Sequence, residues 1–523
     1  MRTPLDLPLE TLLTRRTMLK AAAVGGIALL LDGCASAASS SSSNGAKARR
    51  SMTLGTVTDF APTEILRAGV NTTTLSLIFD TLADVDLTTV QPTPMIATSW
   101  VWNSDKTELT VNLRDDVYFH SGRKLGPEDA IYSIKATQSS TAGAQIGGTT
   151  DLITAMRVTG PNQFKITVSE PISSFANVLV LTPLIDRKTF SGLASGKQVV
   201  GTGPFRFESW VPGSSISLRR NDRYWQHGLP RLDSVKVRVF GSEQSLVAAI
   251  RDNEIDLAWN LVPSDAALLK RGGKFASLTT GAAVSEWYVG VNVKSKPFDD
   301  VRIRQAIAYA LDRERIVKQA FASYGAASCL PWSTSLPGVA AADATHYPYD
   351  PDKAKALLRE AGASGVTAPI LTNSTNTIAE AILNIVQYNL TAAGFKVKAS
   401  QVQATTFQNQ LQAASIDGLW INDVGQTYLS LGTVLLGNAP FKITKNTSNV
   451  TDPEYVSLAK RVIYASTAAQ EASANRGLSA YVLDQAFHIT VGSIPTVSAA
   501  ATSLSGVQTS GGGAIELTGA KLT

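Results

Sequence analysis

The chain has 523 residues, 44% of them hydrophobic, and its 47 Lys and Arg against 42 Asp and Glu leave a net charge of +5. That length holds two large domains or three smaller ones, and with no long apolar run beyond the N-terminus the body is not that of a membrane-spanning protein. The charges are interspersed, as in DDVRIRQAIAYALDRERIVKQ (299–319), so there is no basic block suited to nucleic acid.

The apolar run Ala21–Leu31 is eleven residues long, about half of what a helix needs to cross a bilayer. Arg15 and Arg16 precede it, and Gly33 and Cys34 follow, which is the order of an export signal. TRRTMLK (14–20) resembles the twin-arginine export motif, with Met18 where phenylalanine is usual, and LDGC (31–34) resembles a bacterial lipobox, with Asp32 where a small or apolar residue is usual. These resemblances imply export after folding and a diacylglycerol on Cys34, which would begin the mature chain; a plain cleaved signal with an incidental cysteine is the alternative. Ser36–Asn44 is almost all serine and alanine, a composition that behaves as flexible coil. Residues 1–33 are accordingly predicted to be a twin-arginine-like lipoprotein signal peptide and 34–49 a tether. With Cys34 used as anchor, Cys329 has no partner and is expected as a buried thiol.

From residue 95 the pattern is regular. Leu109, Val111 and Leu113 alternate with polar neighbours, as do Phe164, Ile166 and Val168, then Val235, Val237 and Val239, the period of half-buried strands. VPGSS (211–215) carries the Pro-Gly of a hairpin turn. Gly201, Gly203 and Pro204 lack the third glycine and the following helix of a phosphate cradle, and predict a tight turn instead. His120 has no second ligand at metal spacing. Further on, Asp350 is placed to cap a helix that starts at Pro351, buries Ala354, Leu357, Leu358 and Ala361, and stops at Gly362. Ile378, Ile382, Ile385 and Val386 stripe a second helix that ends at Gly394, before a strand with Phe395 and Val397 inward. Helix and strand in succession predict an α/β lobe.

Four ordered stretches carry a family resemblance: PMIATSWVWNSDKTELTVNLRDDVYFHSGRKLGPEDAIYSI (94–134), GTGPFRFESWVPGSSISLRRNDRYW (201–225) with RDNEIDLAW (251–259), YVGVNVKSKPFDDVRIRQAIAYALDRERIV (288–317), and YDPDKAKALLREAG (349–362). From about Met52 to the C-terminus the chain resembles the extracytoplasmic solute-binding proteins of ABC importers, peptide and nickel type, family 5. The resemblance implies a two-lobed periplasmic-binding-protein-like fold, class II and cluster C, α/β with mixed sheets, hinge strands and an extra strand-rich subdomain. It places lobe I at 50–90, 199–285 and 490–523, an insert at 91–198, and lobe II at 286–489. It implies capture of a small solute, oligopeptide or dipeptide first, between lobes that close over it, with delivery to a permease and ATPase complex. The protein would work as a monomer, without cofactor or metal, outside the cytoplasm on the membrane's outer face. The same fold binding a sugar, an opine or a metal chelate, or serving as a lipid-anchored sensor, is the alternative.

In the family an aspartate shortly after a tryptophan holds a peptide's ammonium. In SIDGLWINDVGQTYLSLG (415–432) one register puts Trp420 and Asp423 on that pair, while the ungapped register puts Gln426 at the aspartate position. Strand length favours the ungapped choice, because a three-residue deletion reverses which side chains face inward. The loop ILRAGVN (65–71) faces the cleft in the family and offers Arg67, suited to a carboxylate or phosphate, and Asn71; a solvated surface arginine is the alternative for Arg67. Trp287 and Tyr288, at the start of the predicted hinge, are placed to stack on a ligand or to pack in the core. His227, His346 and His488 are solitary, which argues against nickel. As for an enzyme, SLAK (457–460) has S-x-x-K spacing but no K-T-G element accompanies it, and neither G-x-S-x-G nor H-E-x-x-H occurs.

Overall fold

The computed structural model describes residues 49–67, 71, 73–86, 89, 91–138, 146–172, 174–279, 285–425, 429–510 and 513–523. Arg15, Arg16, Cys34 and Gln426 lie outside the described residues.

The chain starts with β1 (Ser51–Thr56), then builds a four-stranded antiparallel sheet from β2 (Ala97–Trp102), β3 (Glu108–Leu113), β4 (Ile153–Gly160) and β5 (Gln163–Val168), in the order β2-β3-β5-β4. It returns beside β1 with β6 (Phe205–Val211), β7 (Ser215–Arg220), β8 (Ser234–Val239), β9 (Leu257–Ala258) and β10 (Phe275–Thr279). After a crossing it enters a second region with β11 (Ser285–Val291), β12 (Thr367–Asn373), β13 (Lys396–Val402), β14 (Leu419–Gly425) and β15 (His488–Ile494), and it crosses back into β16 (Val497–Ala501). One sheet therefore runs β10-β16-β9-β1-β8-β7-β6 and the other β13-β12-β14-β11-β15. Both are mixed: β1 is parallel to β8 and β9 while β16 is antiparallel to β9, and β12 is parallel to β13 and β14 while β11 is antiparallel to β14 and β15. The return crossing lies between Ile494 and Val497, so β15 belongs wholly to the five-stranded sheet, beyond the boundary at 490 drawn from the sequence.

Periodicity fixed these elements for a physical reason: alternate side chains of a strand face opposite ways, so a strand with one wet face must alternate. Leu109, Val111, Leu113, Phe164, Ile166 and Val168 are all buried, as are Val235 and Val237, whereas Val239 is only partly covered. Gly213 turns the hairpin between β6 and β7 at φ +69°. Helix α1 (Pro351–Glu360) begins where the Asp350 side chain accepts from the Lys353 N–H, and Gly362 stands just beyond it at φ +66°. Helix α2 (Thr377–Ala392), capped by Asn376, buries Ile382, Ile385 and Val386.

The core is layered by sheet. One large cluster joins the inner face of the five-stranded sheet to the four-stranded sheet and its helices. Two others lie on the faces of the seven-stranded sheet. A fourth, small cluster fills the outer face of the five-stranded sheet under α3 (Ala404–Ala413). Cys329 is a free, buried thiol.

Candidate ligand-binding site

Pairing of β11 with β14 sets the candidate side chains two by two. Trp287 lies opposite Asp423, and Tyr288 opposite Asn422. Parity then divides them: Trp287 joins the large core, whereas Tyr288 and Trp420 join the cluster under α3 with Phe407, Leu411 and Ile416. The Trp420 indole donates to the Tyr288 hydroxyl at 3.5 Å, and a Cβ on Gly290 would collide with that indole, which is why glycine stands there. Trp287, Tyr288 and Trp420 are all at most 3% exposed. Of the two roles left open for Trp287 and Tyr288, stacking on a ligand or packing in the core, both side chains are found in core packing, and both faces of their strand are covered.

Asp423 is only partly covered, its Oδ2 accepts from the Ser285 hydroxyl at 2.8 Å, and burial pushes its carboxyl above the usual range. Arg67 pairs with Glu64 at 2.8 Å on the surface, as a solvated arginine does. Asn71 is buried with both ends of its amide on Ala61, accepting from its N–H at 2.9 Å and donating to its carbonyl at 3.1 Å. Both ends of that amide are thus engaged by the backbone of Ala61. The structure therefore brings Trp287 beside Asp423 and Tyr288 beside Trp420, on opposite faces, and gathers neither pair with Arg67 or Asn71.

His120 clamps the glycine turn. It is buried, its Nε2 lies 2.9 Å from the Gly203 carbonyl, and its Nδ1 accepts from the Gly201 N–H at 3.4 Å. Burial pushes its imidazole down to about 4, so it is neutral. Side chains at Gly201 or Gly203 would collide with the backbone at Ile78. His488, solitary in the sequence, in fact faces Glu286 at 3.0 Å and stacks on Tyr288 with ring centroids 3.9 Å apart. Among the described residues no group of three or more His, Cys, Asp and Glu side chains is arranged to hold a metal ion.

The open space lies elsewhere. A cavity of about 730 Å³ is lined by Thr279 and Thr496, where the two crossings leave the seven-stranded sheet, by Trp259 just after β9, and by Asp84, Asp86 and Glu516. A second cavity of about 120 Å³ shares Asp84 and Glu516 with it and adds Asp80 and Tyr224. Sequence reasoning passed over this wall. Asp80 and Glu516 stand at opposite ends of the chain, and only the pairing of the Gln508–Thr509 and Ile515–Glu516 strands, with the Ser76 hydroxyl on the Ile515 carbonyl at 2.5 Å, brings them together. Trp259 stood in a quoted segment, RDNEIDLAW, but nothing in its neighbours marked it as cavity-facing.

Two mixed sheets between which the chain passes twice, with a partly open, acidic-walled cavity beside Thr279 and Thr496, match the class of two-lobed solute-binding proteins. Residues 91–440 match the profile of the bacterial extracellular solute-binding proteins, family 5 (middle), and the chain belongs to that family. Members are binding proteins, not enzymes. The glutathione-binding protein GsiB of Shigella boydii serotype 4 is 29% identical over 332 residues, which are 62% of this chain and 63% of that protein, so the match spans less than two thirds of the relative's length. Among solved structures, the binding protein AgaA of A. tumefaciens R10 in complex with agropinic acid superposes with a TM-score of 0.75 at 20% identity, over 90% of this chain and 99% of that one. DppA of Helicobacter pylori in complex with the peptide STSA gives 0.74 at 19%, over 88% and 96%. The fold is that of the cluster C periplasmic binding proteins.

Proposed function

We propose that this protein captures a small, amine-bearing organic solute of the peptide class in the cavity beside the crossings, and that closure of two lobes presents it to an ABC permease. In this reading the lobes are the bodies built on the seven- and five-stranded sheets, the four-stranded subdomain is an insert in the first, and the hinges fall where the chain passes from β10 to β11 and from β15 to β16. The observation that carries it is the cavity of about 730 Å³ lined by Thr279 and Thr496 at both crossings, within the usual size range of ligand sites. A relative named for glutathione and a structural neighbour in complex with the peptide STSA support a peptide-like ligand.

The acidic lining fits an amine in particular. The ungapped register, favoured by strand length, puts Gln426 and not a carboxylate at the family's aspartate position. An ammonium would then find its carboxylate partner on the cavity wall of the first lobe. A second reading, a non-peptide solute such as an opine, draws on the AgaA likeness and on the engagement of Asp423 by Ser285. Lipidation of Cys34, with 34–49 as tether, would hold the protein at the outer face of the cytoplasmic membrane.

Native mass spectrometry of the tether-free protein from its own host tests the reading. A bound mass that resolves on gentle unfolding into short peptides or amino-acid derivatives is expected. An anionic or sugar-like mass would favour the second reading, and protein that never carries a solute would contradict both.

A further inference from the structure

Trp259 lines the cavity of about 730 Å³ and is only 2% exposed, yet its indole N–H has no hydrogen-bond partner among the described residues. Indole has one hydrogen-bonding group, a donor, so the whole polar capacity of this side chain is unused. Other indoles of the chain are served by the fold. Trp210 donates to Asp59 at 3.0 Å, Trp332 to the Ser479 hydroxyl at 3.0 Å and Trp420 to the Tyr288 hydroxyl at 3.5 Å, while Trp225 faces the Asp80 carboxylate.

The backbone around Trp259 is tied on both sides. Its own N–H donates to the Gly55 carbonyl of β1 at 2.9 Å, the Asn260 N–H to the Ser498 hydroxyl at 3.1 Å, and the Leu261 N–H to the Val497 carbonyl of β16 at 2.8 Å. The ring itself joins the apolar cluster on the seven-stranded sheet, and turning it towards another acceptor would open packed contacts. A buried donor without an acceptor costs the full loss of its hydration. The protein walls of the ring do not repay that loss, and its remaining side is the cavity. The acceptor therefore has to arrive with whatever enters the cavity.

Resting on the capture reading above, we infer that Trp259 determines specificity, its indole N–H donating to a carbonyl oxygen of the bound solute. A peptide-class solute carries such an oxygen at every peptide bond. The wall around it suits that chemistry, because Leu278 and Val507 offer apolar surface to the carbon atoms beside the carbonyl, and Gln508 and Thr509 add neutral polar side chains. A solute without an oxygen at that point would leave the N–H buried and unpaired, and a site built to hydrogen-bond one group rejects the analogue that lacks it. The fixed backbone means that the donor is positioned before the solute arrives, which spares the ordering cost on binding.

The probes are trialanine, reduced glutathione, and trialanine with either peptide oxygen replaced by sulfur, a close isostere that accepts hydrogen bonds weakly. Calorimetry and proton–nitrogen NMR on the solute-free protein should show saturable binding of the oxygen peptides, and the indole resonance of Trp259 should shift as the site fills. Trp259→Phe should weaken that binding roughly tenfold and remove the parent's preference for trialanine over one of its two sulfur analogues. The resonance is assigned from Trp259→Phe or, should that variant not fold, from Trp259→Tyr, and its shift is read on the parent protein. An indole resonance that stays in place at saturation, or Trp259→Phe protein that binds the peptides as the parent does, would overturn the role of Trp259 and leave capture standing. Protein that binds neither trialanine nor glutathione would instead contradict capture of a peptide-class solute, and the role of Trp259 with it.

Discussion

At the scale of single residues, Glu516 ties the stability of the fold to pH. Its carboxyl is raised from the ordinary value to about 7, chiefly by burial, so the folded chain holds that proton more tightly than the unfolded one. The sign follows: the contribution to stability is full below about pH 4.5 and is lost as pH rises through about 7. Glu516→Gln should therefore melt with the parent near pH 4 and above it near pH 8, by on the order of 1 kcal/mol after solvent screening. Melting curves across that range check it, and a gap that does not grow with pH would argue against the desolvated carboxylate. Local signals were readable at this scale where backbone geometry demanded them. Asp350, Pro351 and Gly362 bounded a helix, and Gly201 and Gly203 a close approach, because caps and turns depend on immediate neighbours. Asp80 and Glu516 were not readable, since burial is decided by elements that the sequence separates.

At the scale of elements, alternation named the strands but not which of their faces is open. Trp287 and Tyr288 suited a pocket as well as a core, because a strand at the start of a hinge can offer one face to a cleft. The five-stranded sheet is instead covered on both sides, by the large core and by α3, and both rings are consumed in packing. Elements also meet across the molecule. Asn177 donates to the hydroxyls of Ser430 at 2.9 Å and Thr433 at 3.0 Å, at the start of the Leu431–Gly437 helix, and in the proposed domain division these bonds link the insert to the second lobe. Bonds present only when the lobes are closed favour the liganded state by their own free energy. Asn177→Ala should then weaken solute affinity, roughly tenfold for two neutral hydrogen bonds, without contacting the solute. Titration of the variant against the parent decides it, with unchanged affinity counting against a latch.

At the scale of the whole molecule, the ordered family segments made the architecture legible well before any side chain could be placed, because they span most of the fold. The N-terminal address is a separate matter. If Cys34 carries the anchor, Cys34→Ser should move the protein from the membrane fraction to the soluble one, and a variant that still pellets with membranes would contradict lipidation there. Among the described residues no helix is long and apolar enough to cross a membrane, so the tether is where attachment is proposed. Closure around a solute remains the claim on which the rest depends. The direct measurement is small-angle X-ray scattering of the stripped protein before and after its co-purified solute is added back. The account predicts a smaller radius of gyration on saturation, reversed when the solute is removed; stoichiometric binding with an unchanged radius would contradict it.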